Sequence, residues 1–296
     1  MPQKQQLDAY FYTFFVGKRK RESIIFHLQE EGREGWGDLC CLPERKTPSL
    51  SLCLEMLRLL ERTPTLLLPY NLQYALWMLK LPVDKEVHFP LAFLFQGSCE
   101  EIEQQRKQAL TLCKGGFRPT VKVKVQNLSV KEALALVELL LPDFTVRIDF
   151  NNSWNMEETV AFCSHLPASI AYLEDPSLSF VPETLSHLPW AHENKEPLVS
   201  SSIPIWKPVV KGVNIPPRSI ISSSYESAIG IGGLLYLAQE KNSPYPVGAG
   251  NFFHMQQDLL EKPLEFYKGN LVCQSLRPQK KSLHFIERLR YTHPLL

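Results

Sequence analysis

Thr120-Val121-Lys122-Val123-Lys124-Val125, then VKEALALVELL at 130–140, then Thr145-Val146-Arg147-Ile148-Asp149-Phe150, read as strand, helix and strand. The outer runs alternate with period two, and the middle run places apolar residues three and four apart. The unit repeats on both sides. Upstream, the continuous apolar run at 89–95 reads as one strand buried on both faces, followed by a helix at 100–113. Downstream, residues 156–166 are helical and 170–173 form a strand. Strands alternating with helices imply a parallel sheet with right-handed crossovers. No Rossmann glycine signature accompanies them, which favours a (β/α) barrel over an open sheet.

Beyond residue 173 the rhythm compresses. Residues 190–192, 203–206 and 218–222 read as strands, but the links between them are short. Only 14 residues separate Lys207 from Ser222, and Pro208, Pro216 and Pro217 are among them. A parallel crossover takes about a dozen residues or more, usually with a helix. The helix after Lys207 is therefore expected to be missing, and the link from 193 to 207 to be similarly cut. Residues 225–239 give one last helix. Ahead of the barrel, strands at 10–16, 23–29 and 35–38 are separated by charged turns, and helices follow at 50–60 and 70–81. The expected fold is α/β, a modified (β/α) TIM-type barrel with an N-terminal α+β capping domain and some barrel helices missing. The expected divisions are 1–87 for the cap, 88–262 for the barrel, and 263–296 for a segment returning to the cap. Within that segment, 285–289 is either helix or strand.

The 296 residues are 44% hydrophobic and carry a formal charge of +1, so no basic footprint points to nucleic acid or an anionic membrane. The cluster Lys18-Arg19-Lys20-Arg21 fits a solvated hairpin. Seven cysteines show no C-x-x-C pair and no zinc spacing, as in a reduced cytoplasmic chain. The N-terminus lacks the apolar core and cleavage site of a signal peptide, and no apolar run is long enough to span a bilayer. Gly230-Ile231-Gly232-Gly233 is not a dinucleotide fingerprint, because Leu235 stands where the third glycine belongs. His27, His165, His187 and His254 have no metal spacing and read as surface or packing residues.

Ionisable groups at strand ends carry the chemistry. In residues 121–125, alternation sends the valines to one face and both lysines to the other. If the valines face the helix layer, Lys122 and Lys124 point into the barrel about 7 Å apart. Repulsion and burial would then lower their pKa, as a general base near neutral pH requires. An edge strand with a solvated lysine face fits the same alternation. The next strands end in Asp149, in Glu174-Asp175 and in Lys207, and barrel active sites assemble at such C-terminal ends. Converging carboxylates there make an all-oxygen site for Mg²⁺ or Mn²⁺, although each alone also fits a structural salt bridge.

The ordered series Lys122-x-Lys124, Asp149, Glu174, Lys207 resembles the enolase superfamily in its muconate-lactonizing subgroup. Within that subgroup, Arg33-Glu34-Gly35-Trp36-Gly37-Asp38, Arg147-Ile148-Asp149-Phe150-Asn151, Tyr172-Leu173-Glu174-Asp175-Pro176, Lys207-Pro208 and Ile221-Ser222-Ser223-Ser224-Tyr225-Glu226-Ser227 resemble the o-succinylbenzoate synthases. The resemblance runs from residue 8 to about 260. It implies a lyase that dehydrates 2-succinyl-6-hydroxy-2,4-cyclohexadiene-1-carboxylate to 2-succinylbenzoate in menaquinone biosynthesis. Lys124 would abstract the α-proton and return it to the departing hydroxyl, with Lys122 tuning it. Asp149 and Glu174 would hold Mg²⁺ or Mn²⁺, which stabilises an enediolate. The third ligand falls at Glu193 or His192, with Glu193 the better oxygen donor. Lys207 would lie across the substrate ring, and Ser222 and Ser223 would hold the succinyl group through backbone and hydroxyl donors. Arg147 and Asn151 complete the expected substrate contacts. Racemisation of N-acylamino acids, epimerisation of dipeptides and a non-catalytic scaffold are the alternatives. The partner is a small carboxylate, and the chain is a monomer or homodimer.

Overall fold

The computed structural model describes residues 5–30, 32–113, 116–167, 169–177, 181–193, 199–293 and 295. The chain opens with a meander of β1 (Gln5–Val16), β2 (Arg19–Glu30) and β3 (Arg33–Cys40), followed by α1 (Leu50–Leu60) and α2 (Tyr70–Met78). Next come β4 (Val87–Pro90), β5 (Ala92–Phe95), α3 (Cys99–Leu112), β6 (Thr120–Lys124), α4 (Val130–Leu140), β7 (Thr145–Asp149), α5 (Met156–Cys163) and β8 (Tyr172–Glu174). The second half holds β9 (Trp190–His192), β10 (Ile203–Trp206), α6 (Pro208–Lys211), β11 (Ile220–Ile221) and α7 (Ala228–Glu240). It ends with β12 (Glu265–Tyr267), β13 (Asn270–Cys273) and β14 (His284–Tyr291).

Strands β5 to β11 form one parallel sheet in chain order. Two parallel bridges close it, Leu91 with Val247 and Ser222 with Gly248. The Val247 amide donates to Pro90 (2.7 Å), and the Gly248 amide to Ile221 (2.9 Å). A two-residue segment thus stands as the eighth strand, which the sequence pattern does not announce. The valines of β6 are fully buried with Ile102, Ala133, Leu136 and Val137 of the helix layer, so Lys122 and Lys124 face the barrel axis. The edge-strand alternative is thereby excluded.

The first three barrel helices share one local cause. Ser98 with Glu101, Ser129 with Glu132 and Asn155 with Glu158 each form a reciprocal capping box. Each satisfies two orphan amides and contributes about 1 kcal/mol. Among the described residues there is little helix behind β8 to β10. One 3-10 turn (Glu183–Leu185) lies between β8 and β9, and the described residues between β9 and β10 carry no helix. After Lys207 the helix is not absent but cut to the single turn of α6, opened by Pro208 and ended at Gly212 with φ 81°. Val209 of α6 is buried in one cluster with Tyr74 and Met78 of α2, so a cap helix supplies the missing cover.

Three further elements differ from the sequence pattern. The apolar run at 89–95 is not one strand. It breaks at Pro90-Leu91, where β4 pairs antiparallel with β13 in a separate sheet and β5 enters the barrel. Pro90 has no amide to donate, and the Leu91 amide turns away to Gly269 (3.0 Å). The last helix begins at Ala228 rather than 225, because Tyr225 has φ 74°. Residues 284–291 are a strand, and β14 lies antiparallel beside β1 in the order β14-β1-β2-β3.

Gly37 fixes how closely α2 approaches β3. A Cβ there would lie 2.2 Å from the Ala75 carbonyl oxygen, closer than any real contact. Gly37→Ala should therefore lower stability by about 1–3 kcal/mol, as overpacking does. An unchanged urea midpoint would show that the two backbones are not held together.

Candidate active site

Strand register brings the charged ends into one row. Lys124 pairs with Asp149 across β6 and β7, and Asp149 with Glu174 across β7 and β8. Inward alternation aims all three side chains at a cavity of about 530 Å³, within the usual range for small-molecule sites. Cap residues Lys18, Arg19 and Arg45 also line it, so it lies between the two parts of the chain.

The Lys122 ammonium lies 2.9 Å from Asp149 and 2.6 Å from Glu174. Burial alone would lower its pKa, but these carboxylates raise it well above the ordinary value. This reverses the expectation that two neighbouring lysines depress one another, because counter-ions outweigh a like charge farther away. Burial raises Asp149, yet Lys122 brings it below the ordinary range. Burial pushes Glu174 up to about 7, Lys122 opposing and the Asp149 and Asp175 charges adding to it. Lys124 makes no ion pair or hydrogen bond among the described residues, and it lines the cavity.

Asp149, Glu174 and Asp175 place one oxygen each within 4.8 Å of one another, the one such group among the described residues. Glu174 Oε2 is buried without a partner. One ammonium touching two carboxylates does not balance three, and the donors are all oxygen. The cluster therefore fits a hard divalent cation such as Mg²⁺.

Glu193, expected as the third ligand, is placed otherwise. Register pairs Glu174 with Ala191, so Glu193 stands two residues beyond the row. One of its oxygens meets Arg45 of the cap at 2.9 Å and the other meets Lys207. Its amide donates to Asp175 (3.1 Å), and its carbonyl accepts from Lys211. Glu193 lines the cavity, whereas His192 is not among the lining residues.

The expected substrate contacts divide. Asn151 lines the cavity with φ 48° and a buried, unpartnered Nδ2. Arg147 does not line it. Two residues before Asp149, it is buried below the site, donates to the Pro246 carbonyl (3.1 Å) and lies 4.9 Å over the Tyr172 ring. Ser222 and Ser223 line the wall, but their amides are used by the sheet, donating to Trp206 (2.9 Å) and Gly248 (3.0 Å). Their hydroxyls donate to Gly248 and Glu226, leaving only lone pairs for a ligand. Asp175, Arg45, Gln126, Asn251 and His254 also line the cavity without having been singled out as site residues. Asp175 could have been found from its place beside Glu174. Asn251 follows the eighth strand, which had no readable pattern.

No protein-family model matches the chain. Among curated proteins, the o-succinylbenzoate synthase of Pectobacterium atrosepticum is 27% identical over 260 residues, covering 74% of this chain and 79% of that protein. The o-succinylbenzoate synthase of Edwardsiella ictaluri is 25% identical over 282 residues, covering 82% and 86%. Among solved structures, the o-succinylbenzoate synthase from Thermosynechococcus elongatus, complexed with Mg in its active site, matches with TM-score 0.65 and 19% identity. It covers 88% of this chain and 97% of that one. The Mg complex of a dipeptide epimerase from Methylococcus capsulatus gives 0.70 and 18%, covering 96% and 100%. A member of the enolase superfamily from Roseovarius nubinhibens gives 0.66 and 14%, covering 98% of each. The chain has the enolase-superfamily fold.

Calorimetric titration with Mg²⁺ tests the cluster. Asp149→Asn and Glu174→Gln should each weaken binding by about tenfold or more. Asp175→Asn should do the same and Glu193→Gln should not; the reverse order would return the third position to Glu193.

Proposed function

We propose that this enolase-fold enzyme dehydrates 2-succinyl-6-hydroxy-2,4-cyclohexadiene-1-carboxylate to 2-succinylbenzoate, a step of menaquinone biosynthesis. The observation that carries the reading is an unengaged lysine, Lys124, level with Asp149 and Glu174 on the adjoining strands. A base at Lys124 would stand beside carboxylates that would hold a cation. The curated relatives named o-succinylbenzoate synthase support the choice of product.

Lys124 Nζ takes the proton α to the substrate carboxylate, and the C–H electrons move into that carboxylate. The same nitrogen then hands its proton to the hydroxyl as the C–O bond breaks. Water leaves and the ring becomes aromatic. Asp149 and Glu174 would hold Mg²⁺, with Asp175 favoured by the geometry as the third carboxylate. The cation, when bound, supplies positive charge against the negative charge that develops on the substrate carboxylate. Lys122 fixes the two carboxylates from below. Lys207, ion-paired with Glu193, would lie against the ring and stabilise charge there. Asn151 Nδ2 is a donor with no other partner and would bind substrate oxygen.

Dipeptide epimerisation is the second reading, favoured by the fold likeness to an epimerase. That chemistry needs a base on each face of the α-carbon. Lys124 would supply one of them, but Lys207 is held in an ion pair with Glu193, which favours the lyase. Seven cysteines, all free thiols, support a reducing cytoplasm as the place of action.

Turnover of the cyclohexadiene, followed by absorbance with Mg²⁺, tests the assignment. EDTA should abolish it, and Lys124→Ala should cost about 10²–10⁴-fold or more. A folded, Mg²⁺-binding wild type that leaves this substrate untouched and epimerises dipeptides would overturn the lyase reading.

A further inference from the structure

Glu226 takes no part in the chemistry above, yet it is wholly buried where cap and barrel meet. Its Oε2 accepts the Ser223 hydroxyl (2.5 Å) and the Ser224 amide (2.6 Å), while Oε1 has no partner. Opposite it stands Asp38 of β3, also wholly buried, whose Oδ2 accepts the Ser227 amide (2.9 Å). Gly230 lets the two side chains close up, since a Cβ there would lie 2.5 Å from Glu226 Cβ and 2.6 Å from Asp38 Oδ2. Tyr74 of α2 and Cys40 of β3 complete the groups that face Glu226. Arg21 of β2 is turned to Glu44 and to the Tyr225 ring.

A buried carboxylate without a cation partner costs stability, which its hydrogen bonds only partly offset. Here both bonds go to one turn, residues 222–225, and every residue of that turn lines the cavity. The turn contains Tyr225 at φ 74°, a conformation that a non-glycine residue holds only when its surroundings impose it. The Tyr225 amide in turn donates to the Ser223 hydroxyl oxygen (3.0 Å), so the Glu226 contact props the residue under strain.

We propose that Glu226 is a positioning residue that holds the 222–225 turn as a wall of the substrate cavity and thereby sets substrate affinity. The inference rests on the cavity being the substrate site proposed above. Burial, reinforced by Asp38, pushes the Glu226 carboxyl up to about 7. Its folded pKa lies above the ordinary 4.5, so the fold prefers the protonated form. That contribution to stability is present at low pH and is lost as pH rises from the ordinary value through about 7. Glu226→Gln keeps an acceptor oxygen for both bonds and stays neutral at every pH.

The full-length, Mg²⁺-loaded protein and its Glu226→Ala and Glu226→Gln variants are compared by steady-state kinetics, Ser224 amide exchange and thermal melts. Glu226→Ala should raise KM about tenfold with kcat within about threefold, the loss expected for hydrogen bonds that hold the binding wall. It should also speed Ser224 exchange. Glu226→Gln should restore both and lose less Tm than wild type between pH 5 and 8. A fall in kcat at unchanged KM, or a glutamine variant no better than alanine, overturns the proposal. If the alanine variant does not fold, glutamine decides alone: wild-type KM and exchange support the proposal, and raised KM with fast exchange sinks it. Exchange and melts need no substrate, so a wrong substrate assignment leaves them readable.

Discussion

The Lys122 ammonium, in contact with both Asp149 and Glu174, ties three neighbouring strands together at the mouth of the barrel. A buried ion pair is held together chiefly by the cost of breaking it, about 3–5 kcal/mol when one partner is removed. Three adjacent strands must therefore keep their register, since a one-residue slip would turn each charged side chain to the helix layer. The pairing also divides the two lysines of β6 between tasks. Lys122 is engaged by the carboxylates, and Lys124, one pleat higher on the same face, is left for a ligand. Alternation along a single strand thus sets an anchored cation and an unengaged amine side by side.

Much of this was readable from the residues. Period-two and three-four patterns locate the strands and helices from 92 to 174, and each of the three helices there begins with a capping box written in local sequence. Elements whose cause is not local were hidden. The eighth strand is two residues inside Pro244-Tyr245-Pro246-Val247-Gly248, too short to show a period, and exists because two neighbours bond to it. The break at Pro90-Leu91 lies inside a uniformly apolar run, and only the separate partners of β4 and β5 reveal it. For the site, alternation tells which face a side chain takes but not its height. Arg147 faces inward yet lies below the cavity, and Glu193 faces inward yet stands past the carboxylate row. The raised pKa of Lys122 was missed for a related reason, since its counter-ions come from other strands.

Helix α7 shows how tightly cap and barrel depend on one another. It has no polar stripe, and its residues from Ala228 to Ala238 are all buried. A helix apolar on every side must be covered on every side. Here the cap strand β3 and the small sheet of β4 and β13 supply contacts beyond those of the barrel. Neither part would keep a closed core without the other, so the cap is a structural half of the enzyme rather than an appended lid.

The two sides of the cavity are accordingly built on different principles. Strands β6 to β8 carry the carboxylates and the unengaged lysine, and α3, α4 and α5 brace them with capped ends and a shared core. Strands β9 and β10 carry Glu193 and Lys207, with only short turns behind them among the described residues, and β11 leads through the serine turn into α7. What holds that side is the cap: Arg45 on Glu193, α2 on α6, and Asp38 on Ser227. The carboxylate cluster and Lys124 sit on the side that the barrel's own helices brace. Groups that line the other wall of the cavity sit where the cap contacts them. A barrel with little helix on one side, among its described residues, thereby gains a wall whose position is set by the cap that also lines the cavity.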